Sequence, residues 1–445
     1  MRFTTSELAN QLGGELVGPD VTVDGAGIDS RTIRPGQLYV PIVAERDGHA
    51  FIAAALEAGA AAYLSVRPPA GGTAVVVGDS AAALMDLGRL ARARVGVGVV
   101  GITGSVGKTT TKDLLYGCLS AAFPASASER SFNNELGLPL TLLNAPDDVQ
   151  WVVLEMGARG PGHIERLARV ARPDVGIVTS VAMAHVEFFG DLDGVARAKS
   201  ELVASLPATG IAVLNRDDPR VAAMASVSPC PVLGYGVDDD ADVTAENVVL
   251  DAELHPRFRL ITPWGTGEAR LALHGMQQVP NGLAAAAAAL WCGVPFDGVV
   301  HALSEVTGSP LRMEVHHPPD GPAVIVDCYN ANPASTDAAL RSLALLGTGK
   351  KLALLGVMAE LGDETEVEHR RMAALAEEFG IEVVGYQTGL YGPVQVAGTG
   401  DAVALLRTMG PGDALLVKGS RVARLEDVVR AYEAGTVVQS PATGA

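Results

Sequence analysis

The chain has 445 residues, 48% of them hydrophobic, with 51 glycines and only 19% charged residues. That length suits roughly two to four domains, and that balance describes a folded α/β enzyme and excludes a disordered chain. A net charge of -18 excludes a nucleic-acid binder, because a polyanion is held by clustered Lys and Arg that displace its counterions.

Four widely spaced cysteines, at 118, 230, 292 and 328, form no metal or redox pair and read as reduced thiols of a cytoplasmic protein. The opening MRFTTSELAN lacks the basic and then apolar signature of a signal peptide. The alanine-rich stretch 283–291 is too short for a bilayer and suits a packed helix. No membrane insertion is expected, and a monomer is the expectation.

Residues 1–80 mix short elements: a helix over 5–12, an extended piece over 38–43 and a helix over 51–59. Their polar clusters, Asp29-Ser30-Arg31 and Glu45 to His49, read as turns. A helix over 80–94 leads into an apolar run at 95–100, and GITGSVGKTTTKD follows at 101–113. A buried strand, a glycine loop and a Lys-Thr-Thr-Thr helix start make a phosphate cradle. Gly104 and Gly107 let backbone N–H groups turn onto an anion, beside Ser105 and Thr110, and the helix terminus adds its partial positive charge. Lys108 reaches the terminal phosphates and the Thr109 hydroxyl ligates magnesium. The spacing is a variant, with Ile102 where the general pattern has glycine.

Strands over 151–156, 174–181 and 210–215 alternate with helices, the pattern of a parallel sheet. Polar residues cluster at their C-terminal ends: Glu155, then Thr179, Ser180 and His185, then Asn215 and Asp217. Ligands bind at that edge of open parallel sheets. Glu155 interrupts an apolar strand and suits a hard cation, and His185 suits a second metal position. Lys199 falls on the helical face of Val195, Leu202 and Val203. Two readings stand open: a lysine whose head escapes to water, or a desolvated neutral amine able to take up carbon dioxide and become a metal-binding carboxylate. The chain holds six lysines against 27 arginines. Lys108, Lys112, Lys199 and Lys418 lie in motif-like stretches, whereas Lys350 and Lys351 read as solvated strand-start charges.

From about 310 the alternation resumes with strands over 323–326, 351–357, 381–386 and 413–417. Polar stretches follow them: Asp327 to Pro333, Met358 to Gly362, and Lys418 to Arg421. No GxGxxG opens a helix, which excludes a dehydrogenase-type dinucleotide fold. The tail from 439 is a loose polar end.

GITGSVGKTTTKD, SFNNELGLPLTLL, LEMGA, AHVEFFG with ARAKSE, NRDDPR, CYNANP, MAELG and VKGSR, in that order, resemble the Mur ligases of peptidoglycan synthesis over nearly the whole chain. The NANP stretch resembles the branch that takes D-alanyl-D-alanine. The resemblance implies three domains. A small α/β domain (1–80) would hold a UDP-muramoyl peptide, a central phosphate-loop ATPase domain (81–308) would bind ATP and Mg2+, and a Rossmann-like domain (309–445) would receive D-Ala-D-Ala. It implies phosphorylation of a carboxylate and attack on the acyl phosphate by an amine. Glu155, His185 and carbamylated Lys199 would hold a second magnesium ion. Asn281 would read adenine, and Arg312 and Asp327 would hold ribose and phosphate. Ser30, Arg31, Asp47, Gly48, His49, Asn133 and Asn134 would contact the UDP-sugar peptide, with Asn330 and Asn332 near the dipeptide. The chain departs from the family pattern at Val106, Gln277-Gln278, Val326 and Val357. Those departures keep open a ligase of another amine or peptide, and a non-ligating ATPase is a further alternative against which Glu155, His185 and Lys199 together weigh.

Overall fold

The computed structural model describes residues 1–437, apart from 70, 130–131, 184–188 and 239. The expectations for His185 and for the tail from 439 lie outside the described residues.

Among the described residues the chain builds three main sheets and a small two-stranded one. The first sheet has five short strands in the order Glu15–Val17, Ala74–Val76, Ala62–Ser65, Leu38–Tyr39, Ala26–Gly27. The expected extended piece over 38–43 is thus a strand only at Leu38–Tyr39. The helix Thr5–Leu12 forms as expected, with the Thr4 hydroxyl accepting from Glu7 N–H and Gly13 closing it in the left-handed conformation.

The central sheet has nine strands and is parallel from Ala125–Ala127 across to Val243–Leu250, where two antiparallel strands complete it. Its middle strands, Trp151–Glu155, Gly98–Thr103, Val175–Val178 and Ile211–Asn215, are buried along their whole length, as strands covered on both faces must be. The strand before the phosphate loop starts three residues later than the apolar run suggested and continues to Thr103, so the loop itself begins at Gly104.

On one face, the helix Lys108–Ser120 packs against Gln278–Trp291, whose run Ala284–Ala289 is fully buried. Alanines there let the two backbones approach closely. On the other face, Val99, Val152 and Leu154 share one apolar core with Met1, Phe3, Leu84 and Leu142. The first sheet is therefore fastened to the central one by common packing, and the Met1 ammonium adds donors to Leu143 O at 2.9 Å and Ala145 O at 2.7 Å.

The third sheet runs Glu314–His316, Ala323–Asp327, Ala414–Lys418, Lys351–Leu355, Glu382–Tyr386, Gln395–Val396, and is parallel except at its first strand. Lys351 is not the freely solvated charge expected, because its ammonium donates to Ala344 O. The four cysteines are free. Among the described residues no helix is long and apolar enough to cross a membrane.

Candidate active site

The C-terminal edge of the central sheet faces the corresponding edge of the third sheet across a cleft of about 740 Å³. On the central wall, Gly98–Thr103 delivers the chain into the phosphate loop and the helix Lys108–Ser120 leaves it. Gly107 caps that helix with φ +87° and no side-chain acceptor. The first N–H groups of the helix are thus left for an anion. Both loop glycines are required sterically. A Cβ on Gly104, at φ +151°, would lie 1.8 Å from Thr179 Oγ1, and one on Gly107 would lie 2.2 Å from Asn281 Oδ1.

The next strand's end pins the loop from behind. Ser105 N–H donates to Ser180 O at 2.9 Å, Val106 N–H to Ser180 Oγ at 3.1 Å, and Thr179 Oγ1 to Val106 O at 2.5 Å. Val106 therefore acts through its backbone, which explains why an apolar side chain is tolerated there. The Ser105 hydroxyl is engaged with Ala182, accepting from its N–H at 2.9 Å and donating to its O at 3.0 Å.

Glu155 ends its strand 2% exposed. Thr109 Oγ1 donates to its Oε2 at 2.8 Å and Asn133 Nδ2 to its Oε1 at 3.0 Å. A hydroxyl and a carboxylate so paired are hard oxygen donors that suit magnesium. Lys108 folds back onto Gly104 O at 2.7 Å and Ser105 O at 3.4 Å. Burial pulls its pKa down, with Glu155 opposing and Arg312 adding to the fall.

Lys199, on Leu192–Ala204, is 7% exposed on the face of Val195, Ala198, Leu202 and Val203, as its spacing predicts. Its pKa lies well below the ordinary lysine value, first through burial and then through Lys108. Of the two open readings, the structure favours the desolvated amine over the head that escapes to water. Among the described residues no group of His, Cys, Asp and Glu makes a metal cluster.

The opposite wall comes from the third sheet. Asp327 and Lys418 end adjacent strands in register, and Lys418, 1% exposed, donates to Asp327 Oδ2 at 2.5 Å and Asn330 O at 3.1 Å. Asn332 caps the helix Pro333–Leu345 through a reciprocal pair with Ser335. Arg312 lies over the Tyr329 ring at 4.1 Å.

Of the residues singled out from sequence, Gly104, Ser105, Gly107, Lys108, Thr109, Thr110, Asn133, Asn134, Glu155, Lys199, Asn281, Arg312, Asp327, Asn330 and Asn332 all line this cleft. Asn281 sits against the phosphate loop, its amide donating to Gln278 Oε1 at 2.9 Å and Gln277 O at 3.2 Å. Asp217 does not join them, because its carboxylate accepts from Val237 and Asp238 N–H.

Ser30, Arg31, Asp47, Gly48 and His49 are not among the residues lining the cleft. Arg31 is exposed and paired with Asp29 at 2.6 Å. Asp47 binds His49 Nδ1 at 2.7 Å and the Arg67 guanidinium. Sequence reasoning missed Lys418, Tyr329 and Gln277 as cleft residues. The scarcity of lysine was a signal for the first.

The Mur ligase middle domain matches residues 102–289, and the Mur ligase glutamate ligase domain matches residues 311–421. The UDP-N-acetylmuramoyl-tripeptide–D-alanyl-D-alanine ligase of Mycobacterium tuberculosis is 37% identical, with 98% of each chain covered. The crystal structure of MurF from Acinetobacter baumannii superposes with a TM-score of 0.88 at 29% identity over 97% of this chain and 99% of that one. MurF ligase from Thermotoga maritima in complex with ADP gives 0.83 at 27% identity over 94% and 99%. Sharing these domains and this full-length similarity, the chain belongs to the Mur ligase family.

Proposed function

We propose that the protein is an ATP-dependent, ADP-forming ligase that joins D-alanyl-D-alanine to UDP-N-acetylmuramoyl-tripeptide. The observation that carries this reading is one cleft holding Lys108, Thr109–Glu155 and Lys199 on one wall and Asn330 and Asn332 on the other. Full-length relatives named for this activity support it. In this reading residues 1–80 hold the UDP-sugar peptide through Ser30, Arg31, Asp47, Gly48 and His49, residues 81–308 bind ATP, and residues 309–445 present the incoming amine.

The reaction needs an activated carboxylate, because a free one is a poor electrophile. The substrate carboxylate oxygen attacks the γ-phosphorus and ADP leaves. The amine nitrogen of the dipeptide then attacks the acyl carbon, phosphate departs, and the nitrogen loses a proton. Lys108 leaves its loop carbonyls for the phosphates, and the loop N–H groups hold them in place. Thr109 and Glu155 are the oxygen donors for magnesium. Lys199, as a neutral amine, would add to carbon dioxide, lose a proton and become a carbamate able to supply a second anionic ligand, a role the family resemblance shares with His185. A magnesium ion held by these donors would supply neutralisation of the phosphate charge. Asn330 and Asn332, fixed by Lys418 and the helix cap, orient the dipeptide. Closure of the two walls excludes water from the acyl phosphate.

Phosphate release by purified protein with ATP and magnesium tests the reading. Release is expected only when UDP-muramoyl tripeptide and D-Ala-D-Ala are both present. Release without either substrate would mark an ATPase, and silence with D-Ala-D-Ala but turnover with another amine would mark a different ligase.

A further inference from the structure

Arg312 reaches the cleft from a short connection between the central and third sheets. Leu311 at φ +63° and Met313 at φ +52° both adopt the left-handed backbone that non-glycine residues rarely take. A connection bent this way on both sides of one arginine must be held at its ends. On the third-sheet side, Leu311 O accepts from Tyr329 N–H at 3.1 Å and Leu311 N–H donates to the Glu314 carboxylate. On the central side, Ser309 Oγ donates to Asp113 Oδ2 at 2.6 Å across 196 residues of sequence.

Asp113 stands on the same helix as Lys108 and Thr109, just over a turn further along. Its other oxygen pairs with Lys112 Nζ at 3.1 Å, and that ammonium donates to Ser128 O at 2.9 Å. Ser128 Oγ in turn accepts from Glu155 N–H at 3.3 Å. Asp113 thus ties the root of the Arg312 connection to the helix that starts at the phosphate loop.

We infer that Asp113 and Ser309 are positioning residues that act through Arg312: their hydrogen bond fixes the start of the bent connection so that the guanidinium meets the nucleotide held on the phosphate loop. This rests on the nucleotide reading of that loop. Neither residue is among those lining the cleft, so the effect must pass through Arg312.

ADP affinity of the full chain, measured by calorimetry with magnesium, tests this. Ser309→Ala is expected to weaken ADP binding about 5-fold, the scale of one hydrogen bond, and Ser309→Thr to restore it. Arg312→Ala alone weakens binding, and adding Ser309→Ala to it produces no further loss. In turnover, Ser309→Ala raises the KM for ATP and leaves that for the UDP-peptide unchanged. Asp113→Ala is expected to match Ser309→Ala, but it also removes the carboxylate beside buried Lys112, so the serine variants carry the test. An equal further loss on the Arg312→Ala background, or unchanged ADP affinity in Ser309→Ala, would overturn the inference. Wild-type protein that binds no ADP would overturn the nucleotide reading first and this inference with it.

Discussion

The two walls of the cleft hold their charges in opposite ways. On the central wall, among the described residues, the two lysines make no ion pair: Lys108 rests on two carbonyls, and Lys199 is buried beside it with its pKa driven down. On the third-sheet wall the buried cation is fully matched, with Lys418 against Asp327 and Asn330 O. A wall whose buried amines stand outside any ion pair is poised to take up an anion, whereas a self-matched wall is rigid before any ligand binds. The difference separates chemistry from alignment. Removing Lys199 or Glu155 from the central wall should cost turnover, and breaking the Asp327–Lys418 pair of the opposite wall should cost folding.

The largest expected effect is on turnover. Lys199→Ala and Glu155→Gln should each lower kcat by about 10³-fold or more, the scale of lost electrostatic stabilisation in a closed site, while ADP binding persists. Short carboxylates added to Lys199→Ala should restore part of the rate. Undiminished turnover of that variant would sink the metal-bridging role. Lys199→Met, measured without nucleotide or bicarbonate, should melt no lower than wild type, because it removes a buried amine that makes no ion pair among the described residues. A clear loss of stability would break the contrast between the walls.

The matched wall should behave in the reverse sense. Asp327→Ala leaves Lys418 buried without its carboxylate, at a cost of about 3–5 kcal/mol, read as a fall in the urea midpoint. Replacing both residues, Asp327→Asn with Lys418→Met, should recover much of that loss. A single variant as stable as wild type would mean that Lys418 finds water and that the wall is not self-matched.

Gly107→Ala should fall next in size. At φ +87°, with Asn281 Oδ1 2.2 Å from the new Cβ, backbone strain of about 1–3 kcal/mol is expected. The asparagine must also move off the loop. Weaker ADP binding together with lower stability would show that the central wall depends on its backbone. Equal ADP affinity would show that the loop tolerates a side chain there.

The sequence disclosed the central wall more fully than its opposite because the central wall is local. Gly104 to Thr110 are consecutive, and Lys199 shows its buried face by helical spacing alone. Glu155 is conspicuous as a charge in an apolar strand. The third-sheet wall depends on pairings between distant segments. Asp327 with Lys418, and Ser309 with Asp113, are separated by 91 and 196 residues, and no periodicity couples them. Asp217 illustrates the opposite error. It stands at a strand end that suits a ligand, yet nearby N–H groups of Val237 and Asp238 take its carboxylate first. The buried parallel strands were legible, whereas most of the short strands of the first sheet and the central-sheet strands Val232–Gly236, Val243–Leu250, Pro256–Thr262 and Gly265–Arg270 were not, and strand ends shifted because burial and not composition decides where the ladder stops.

The smallest expected effect asks whether the matched character of the third region extends beyond the cleft. His316 lies between Glu314, at 3.0 Å, and Glu433, at 3.0 Å. The hydrogen bond to Glu314 raises the His316 pKa above the ordinary 6.5, with burial opposing, and His316 in turn lowers that of Glu314 below its ordinary 4.5. A raised histidine pKa means that stability is fully present below 6.5 and is lost as pH rises through the raised value. A depressed carboxylate pKa means that stability is present above 4.5 and is lost as pH falls through the depressed value. The trio is therefore strongest between those ordinary values. His316 is 37% exposed, so solvent screening limits the effect to about 0.5 kcal/mol. His316→Gln should lower the urea midpoint at about pH 5.5 and leave it nearly unchanged at about pH 8.5. A deficit of equal size at both pH values would mean that His316 contributes by packing alone, and the charge matching of this region would then stop at the wall of the cleft.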